Sequence, residues 1–287
     1  MSNTEERASL FTVAALNIYP IKSCGGIALD VGEIGLRGFR NDRAFMLVTP
    51  QGRFITQREQ PRMALIRPTI SRDGSLLIKT PGMPEFTLTI KDTGAPGQVV
   101  VWKSTCDAID QGDEVAEWFS SYLGIPCRLV AMEREHERKV NPDFAIGAYD
   151  QVGFADGYPF LLISAASLDD LNTRLSDPLP MNRFRPNIVV SGSAPYEEDT
   201  WRVIRIGEVV FHIVKPCARC PIPTTNQETA ERLKEPLKTL ATYRHAARGV
   251  MFGQNLIHEQ QGIIRVGDSV EVLERANTPN FTLRTKN

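Results

Sequence analysis

Short apolar runs closed by turn residues dominate the first half of the chain. Phe11–Ile18, Ala44–Thr49, Ser75–Ile78, Phe86–Ile90 and Gln98–Trp102 are each bounded by glycine, proline or asparagine signals, and each predicts a strand. Their regular recurrence predicts a barrel or twisted antiparallel sheets. One stretch has a different period. In 113–123, Val115, Trp118, Phe119, Tyr122 and Leu123 fall at i, i+3, i+4, i+7 and i+8, one face of a helix. Gly124 follows where a left-handed cap is favoured.

The segment Glu133–Asp143 carries charges of alternating sign and ends in Asn141–Pro142. It reads as a linker or solvated loop, dividing a first lobe, 10–132, from a second, 133–277, with a tail over 278–287. In the second lobe Leu168, Leu171 and Leu175 stripe a helix over 166–175, with Ser164 as its candidate cap. Strands are predicted at Asn187–Ser191, Val203–Ile206, Val209–Val214, Ile263–Val266 and Val270–Leu273. Gly207–Glu208 and Gly267–Asp268 then look like the turns of two hairpins. The expected fold is mainly β with a few helices, an α+β arrangement of two lobes.

At 287 residues the chain suits one large domain or two ordinary ones. An apolar fraction of 42% with 23% charged residues is that of a soluble globular protein. The formal net charge of -1 gives no reason to expect a nucleic-acid groove or an anionic membrane surface. No apolar run is long enough to span a membrane, and Met1–Ser9, with Glu5 and Glu6, lacks the core of a secretion signal. A cytoplasmic protein is expected, without structural disulfides among its five cysteines.

Cys217 and Cys220 form a lone C-x-x-C, for which three readings stand. Zinc needs further ligands, and neither the distant cysteines nor the four histidines offer a pair at ligand spacing. A redox pair should open a helix, whereas a predicted strand precedes this one and Pro221 and Pro223 follow it. Two inert cysteines at a strand end are the bland reading. Arg219 and Lys215 favour a functional one, since they offer cationic charge to hold Cys220 as a thiolate suited to a polarisable redox metal. Small basic motifs lie elsewhere, but no phosphate-binding glycine fingerprint does.

Seven motifs in order carry a resemblance: Tyr19–Pro20–Ile21–Lys22–Ser23, Asp42–Arg43, 55–61, Phe184–Arg185–Pro186–Asn187, Cys217–Ala218–Arg219–Cys220, 235–240 and Phe252–Gly253–Gln254–Asn255. Together they resemble the MOSC family, in the branch with an N-terminal β-barrel domain packed on a MOSC β-barrel domain. That branch includes the mitochondrial amidoxime-reducing component and bacterial N-hydroxylamine-reducing relatives. The resemblance spans about residues 11–275.

It implies a molybdenum cofactor between the lobes, with Cys220 as the ligand to the metal and Cys217 only packing. Lys22, Ser23 and Arg43, with Arg58 in the third motif, match cofactor-binding residues of the first lobe; Arg185, Asn187, Ala218 and Arg219 match those of the second. Asp156, Gly157 and Tyr158 fall in the pocket loop, and Asn255 stands where some relatives have tyrosine. Ala218 replaces a common serine and leaves only a backbone contact. Lys22 and the arginines suit a phosphate tail, and Asn187 a pterin edge. The implied reaction is reduction of small N-hydroxylated substrates: N-hydroxylamines, amidoximes or hydroxylaminopurines. Asp156 is the candidate proton donor, with a turn cap before Gly157–Tyr158–Pro159 as its other reading. No cysteine follows Cys220, so electrons are expected from a separate reductase or carrier. A non-catalytic cofactor carrier, or a persulfide carrier through Cys220, are the competing functions.

Overall fold

The structure, a computed structural model, describes residues 11–279 and 281–283. Met1–Ser9, read above as no secretion signal, lies outside the described residues, as does part of the tail. In the first half, strands are β1 (Phe11–Ile18), β2 (Ile27–Leu29), β3 (Val31–Gly35), β4 (Gly38–Phe39), β5 (Phe45–Val48), β6 (Arg67–Ile70), β7 (Leu76–Lys79), β8 (Phe86–Leu88), β9 (Gly97–Val101) and β10 (Ser104–Asp110). Helix α1 (Asp113–Leu123) and strand β11 (Arg128–Met132) complete it. The second half holds β12 (Phe160–Ser164), α2 (Ala165–Thr173), β13 (Ile188–Ser191), β14 (Trp201–Ile206), β15 (Val209–Ala218) and α3 (Leu237–Tyr243). It ends with β16 (His245–Ala246), β17 (Gly249–His258), β18 (Gly262–Arg265) and β19 (Ser269–Arg275).

The period-3.6 stripe of α1 buries Val115, Trp118, Phe119, Tyr122 and Leu123 against Phe45, Leu47, Leu76 and Leu129. Gly124 ends the helix at φ +70°, its N–H donating to the Ser120 carbonyl, the left-handed cap read from the sequence. Around this core sit the sheet β5–β11–β10–β9 and the smaller sheet β6–β7–β8.

The second half is a closed barrel. The order β12–β13–β1–β19–β14–β15–β17 returns to its start because β12 also pairs with β17, setting Phe160 opposite Leu256 and Leu161 opposite Asn255. Only β12 and β13 run parallel in this ring, joined through α2. Inward residues interdigitate, as Phe160 edge-on to Phe211 at 5.3 Å shows. In β17 Gly253 has φ +79°, and a Cβ there would come within 2.7 Å of the Ile163 side chain. Only glycine lets these strands approach so closely.

Several sequence expectations change. Strand β1 stands first in the chain yet pairs with β13 and β19 inside the barrel. The Gly267–Asp268 turn joins no hairpin: β18 pairs with β3, while β19 pairs with β1 and β14. Local turn chemistry was read correctly, but both flanking strands found more distant partners. Gly207–Glu208 does close the hairpin β14–β15. Ser164 sits at the N-terminus of α2 without capping it, because its hydroxyl bonds Ser193 Oγ at 2.7 Å. The charged run 133–143 is no simple solvated loop, since Arg138 and Val140 are buried. Among the described residues no helix is long and apolar enough to cross a membrane.

Candidate active site

Strand β15 runs four residues past the predicted Val214, to Ala218, which pairs with Met251. Register shifts at Ile213/Lys215 and Pro216/Ala218 bend its end, and Arg219 N–H still donates to the Val250 carbonyl. Cys220 then leaves the sheet at the barrel rim, where Pro221 opens a short 3-10 turn over Ile222–Thr224. A rigid strand end thus presents the sulfur to a cleft of about 150 Å³.

That cleft gathers residues scattered through the sequence. Lys22, Ser23, Arg43, Asp156, Gly157, Tyr158, Arg185, Asn187, Ala218, Arg219, Cys220 and Asn255 all line it. Arg58 stands at its edge, its guanidinium 3.3 Å from Cys220 Sγ and 2.8 Å from Asp156 Oδ2. Ser23, Arg43 and Arg185 have φ of +68°, +46° and +58°, a region that side chains rarely adopt. Non-glycine residues held there by surrounding contacts concentrate at functional sites.

Arg43 and Arg185 lie over the Tyr19 ring, 4.3 and 4.1 Å from its centroid. Arg43 donates to Asp42 Oδ2 at 2.5 Å and to Asn187 Oδ1 at 3.0 Å; Arg185 donates to the Cys24 carbonyl at 2.5 Å. Burial pushes the Tyr19 hydroxyl up to about 12 and draws Arg185 down to about 10. Asn187, expected to read a heterocycle edge, is largely committed within the protein. Its Oδ1 accepts from Arg43 and from Leu161 N–H, and its Nδ2 donates to the Asn17 carbonyl. One amide hydrogen remains. Asn255 Nδ2 donates to the Lys215 carbonyl at 3.2 Å.

Lys22 is buried, with Nζ 2.7 Å from the Phe154 carbonyl and 2.6 Å from Asp156 Oδ1. Burial lowers its proton affinity and Asp156 opposes that. Desolvation in the cleft resists ionisation of Asp156, but Lys22 and Arg58 outweigh it and hold the carboxyl well below the usual carboxylate range. Asp156, the candidate proton donor of the sequence reading, thus stands in the structure as the shared acceptor of two cations, Lys22 and Arg58. Its place is to anchor Lys22 and Arg58.

The source of charge at the sulfur also differs from expectation. Arg219 donates to Cys217 Sγ at 3.2 Å and to the Phe184 carbonyl at 2.7 Å, while Lys215 lies over the Phe144 ring. The cation on Cys220 comes from Arg58, some 160 positions earlier in the chain. Sequence proximity chose the wrong arginine.

Sequence reasoning missed three supports. Trp102, at φ +55° in the β9–β10 turn, lies under Arg58 at 4.9 Å and donates Nε1–H to Asp156 Oδ1 at 3.1 Å. Its place at a two-residue strand junction was the available signal. Arg138 donates to the carbonyls of Gly153, Ala155 and Asp156 and fixes the loop carrying Asp156; surrounding surface charges hid it. Gln57, fully buried, ties the Ser23 carbonyl to Gln227. Gly157 is open, for a Cβ there would meet nothing within 4 Å.

Comparison with known proteins places this geometry. Residues 10–126 match the model of the MOSC N-terminal beta barrel domain, and residues 150–271 that of the MOSC domain. The chain belongs to the MOSC family. Human mitochondrial amidoxime-reducing component 1 is 36% identical over 281 residues, covering 91% of this chain and 83% of that protein. The mouse protein of the same name is 38% identical over 280 residues, covering 91% and 82%. A molybdenum cofactor sulfurase of Oryza sativa subsp. japonica is 31% identical over 278 residues, 90% of this chain but 34% of that one. Both MOSC segments furnish the cleft, with Lys22, Ser23, Arg43 and Arg58 in the first and the remaining lining residues in the second. Arg138 lies between them, in neither match.

Proposed function

We propose that the cleft binds a molybdenum–pterin cofactor, that Cys220 is its thiolate ligand, and that the protein reduces small N-hydroxylated compounds with electrons from a separate reductase. The observation that carries this is the convergence of Cys220 with Lys22, Arg43, Arg185 and Arg219 on one cleft, facing a single carboxylate of its lining, Asp156. Such an excess of positive charge fits an anionic group. Arg219 Nε is buried without a hydrogen-bond partner, a donor left for a ligand to accept. Among the described residues no three His, Cys, Asp or Glu side chains converge as a metal site, so Cys220 would join a metal whose remaining ligands come from outside the chain.

Lys22, Arg43, Arg185 and Arg219 would hold the cofactor's phosphate and polar edges, and Ser23 can add a hydroxyl. Ala218 can offer only main-chain groups. Bound there, the cofactor supplies the two-electron reduction of an N–OH group. Arg58 steadies the thiolate of Cys220, and Trp102 steadies Arg58. Asp156 orients Lys22, whose hold on its proton burial weakens.

Metal analysis and pterin fluorescence on wild type and Cys220→Ser, with turnover of a model amidoxime, test the reading. Molybdenum and pterin are expected in wild type, with metal and turnover lost on substitution. Unchanged metal and turnover in Cys220→Ser would overturn it. Pterin and molybdenum without turnover would assign a carrier, and sulfane sulfur without molybdenum a persulfide carrier.

A further inference from the structure

After Cys220 and its 3-10 turn, the chain doubles back on itself in a tight clip over 224–233. Thr225 bridges Arg232 in antiparallel fashion, Asn226 N–H donates to the Glu231 carbonyl, and Leu233 N–H donates to the Thr224 carbonyl. Asn226 Oδ1 accepts from the N–H groups of Glu228 and Thr229 and closes the tip. Thr224, Thr225 and Gln227 are buried, whereas Arg232 is exposed and does not line the cleft.

The clip faces the first-half loop that carries Arg58. Arg232 Nη2 donates to the Gln57 carbonyl at 2.7 Å and to the Arg58 carbonyl at 2.9 Å. Among the described residues it meets no carboxylate, so its charge is directed at these two main-chain acceptors. Gln227, within the clip, holds the buried side chain of Gln57. Ile55 N–H makes the loop's last bond to its own half, at the Leu47 carbonyl. Beyond it, among the described residues, the main chain of 56–59 bonds only within its own turn and to Arg232.

We propose that Arg232 is a positioning residue for the site: it locks the loop of Arg58 onto the segment that leaves Cys220, and so sets the Arg58 guanidinium against the sulfur. The proposal rests on the reading of Cys220 as the metal ligand. Sulfur and cation then belong to one unit, since 220–233 carries Cys220 at one end and grips the Arg58 backbone with the other. Asp156 and Trp102 fix the guanidinium end of Arg58, and Arg232 fixes its backbone end. The contact they define together is the 3.3 Å from Arg58 Nη2 to Cys220 Sγ. A hydrogen bond to a ligand sulfur draws electron density from it, so this contact tunes what the thiolate gives the metal.

Crystal structures of wild type and Arg232→Met test the positioning apart from any chemistry. In the variant the Arg58 guanidinium is expected to leave hydrogen-bond distance of Cys220 Sγ; a contact kept at its wild-type length overturns the proposal. In the cofactor-loaded protein, Arg232→Met is expected to shift the midpoint potential of the metal to more negative values. The same variant should lower kcat about three- to tenfold with KM within about twofold, short of the roughly 10–100-fold typical of direct outer partners. Arg58→Met should shift the potential the same way, and Arg232→Met added to it should shift it no further. An unshifted potential, or shifts that add, overturns the proposal. Arg232→Lys, which keeps the charge and can reach one carbonyl, should recover most of the loss. Lys234→Met, at the neighbouring exposed cation, should leave potential and turnover unchanged; a shift equal to that of Arg232→Met would reduce Arg232 to surface charge and overturn the proposal. If wild type binds no molybdenum, the cofactor reading fails, while the place of Arg58 in the Arg232→Met structure still decides for or against Arg232.

Discussion

The two halves of the molecule solve the same problem differently. The second closes its backbone hydrogen bonds in a ring, β12 returning to β17, and its strands need no outside partner at their edges. The first builds short open sheets around α1 and lends β1 to the ring and β3 to β18. The site divides along this line. Cys220 stands on the end of a ring strand, whereas Lys22, Ser23, Arg43 and Arg58 stand on first-half loops. Contacts across the division hold those loops: Lys22 to the Phe154 carbonyl, Arg43 to Asn187, and Gln57 to Gln227. The ring positions the Cys220 sulfur, and the seam between halves places the cations.

The largest test of this contrast is at the cysteines. Cys220→Ser is expected to lower molybdenum content and turnover beyond the roughly 10–100-fold typical of outer partners of a metal ligand. Cys217→Ser is expected to fall below tenfold by the same assays. Equal losses would remove the asymmetry between the two sulfurs.

The next tests concern the ring. Asp199 and Arg244 form an ion pair buried on both sides, 2.7 Å apart. Asp199→Ala leaves Arg244 uncompensated, with an expected loss of about 3–5 kcal/mol in urea unfolding. A loss under 1 kcal/mol would show that the ring does not depend on its buried pair.

Glu198, beside it, is 1% exposed. Burial first, and Asp199 second, push its carboxyl from its ordinary 4.5 to about 7. The folded state therefore favours the protonated form. Below about pH 4.5 that preference contributes fully; as pH rises the unfolded chain ionises first and stability falls. Roughly 3 kcal/mol of this contribution is expected to disappear by about pH 7. Glu198→Gln should flatten the change in that window. Identical pH curves for variant and wild type would count against the buried acid.

Smaller effects belong to the first half. Trp102→Phe keeps a ring under Arg58 but removes the indole donor to Asp156, for an expected two- to tenfold fall in kcat/KM, about one hydrogen bond. An unchanged value would release Trp102 from the site. The exposed Arg53–Glu59 pair, 2.8 Å apart, should contribute no more than about 1 kcal/mol, so Glu59→Ala should hardly shift the urea midpoint.

Much of the fold was readable where local periodicity matched the final environment. The α1 stripe and its glycine cap needed only near neighbours, and so did the β14–β15 hairpin. The Gly267–Asp268 turn misled because its flanking strands answer to β3, β1 and β14, which lie far away in sequence. β17, the long strand that closes the ring, was not read at all, for it mixes polar and apolar residues without a clear period.

The sequence by itself determined which residue types would meet at a site: a cysteine after a strand, with lysine, arginine and asparagine motifs in fixed order. It did not determine which arginine meets which sulfur. Tertiary structure alone set Arg58 on Cys220, Arg219 on Cys217, and Asp156 between two cations. The physical reason is that charge acts over a few ångströms of space, while the chain brings those groups together from positions as far apart as 22 and 220.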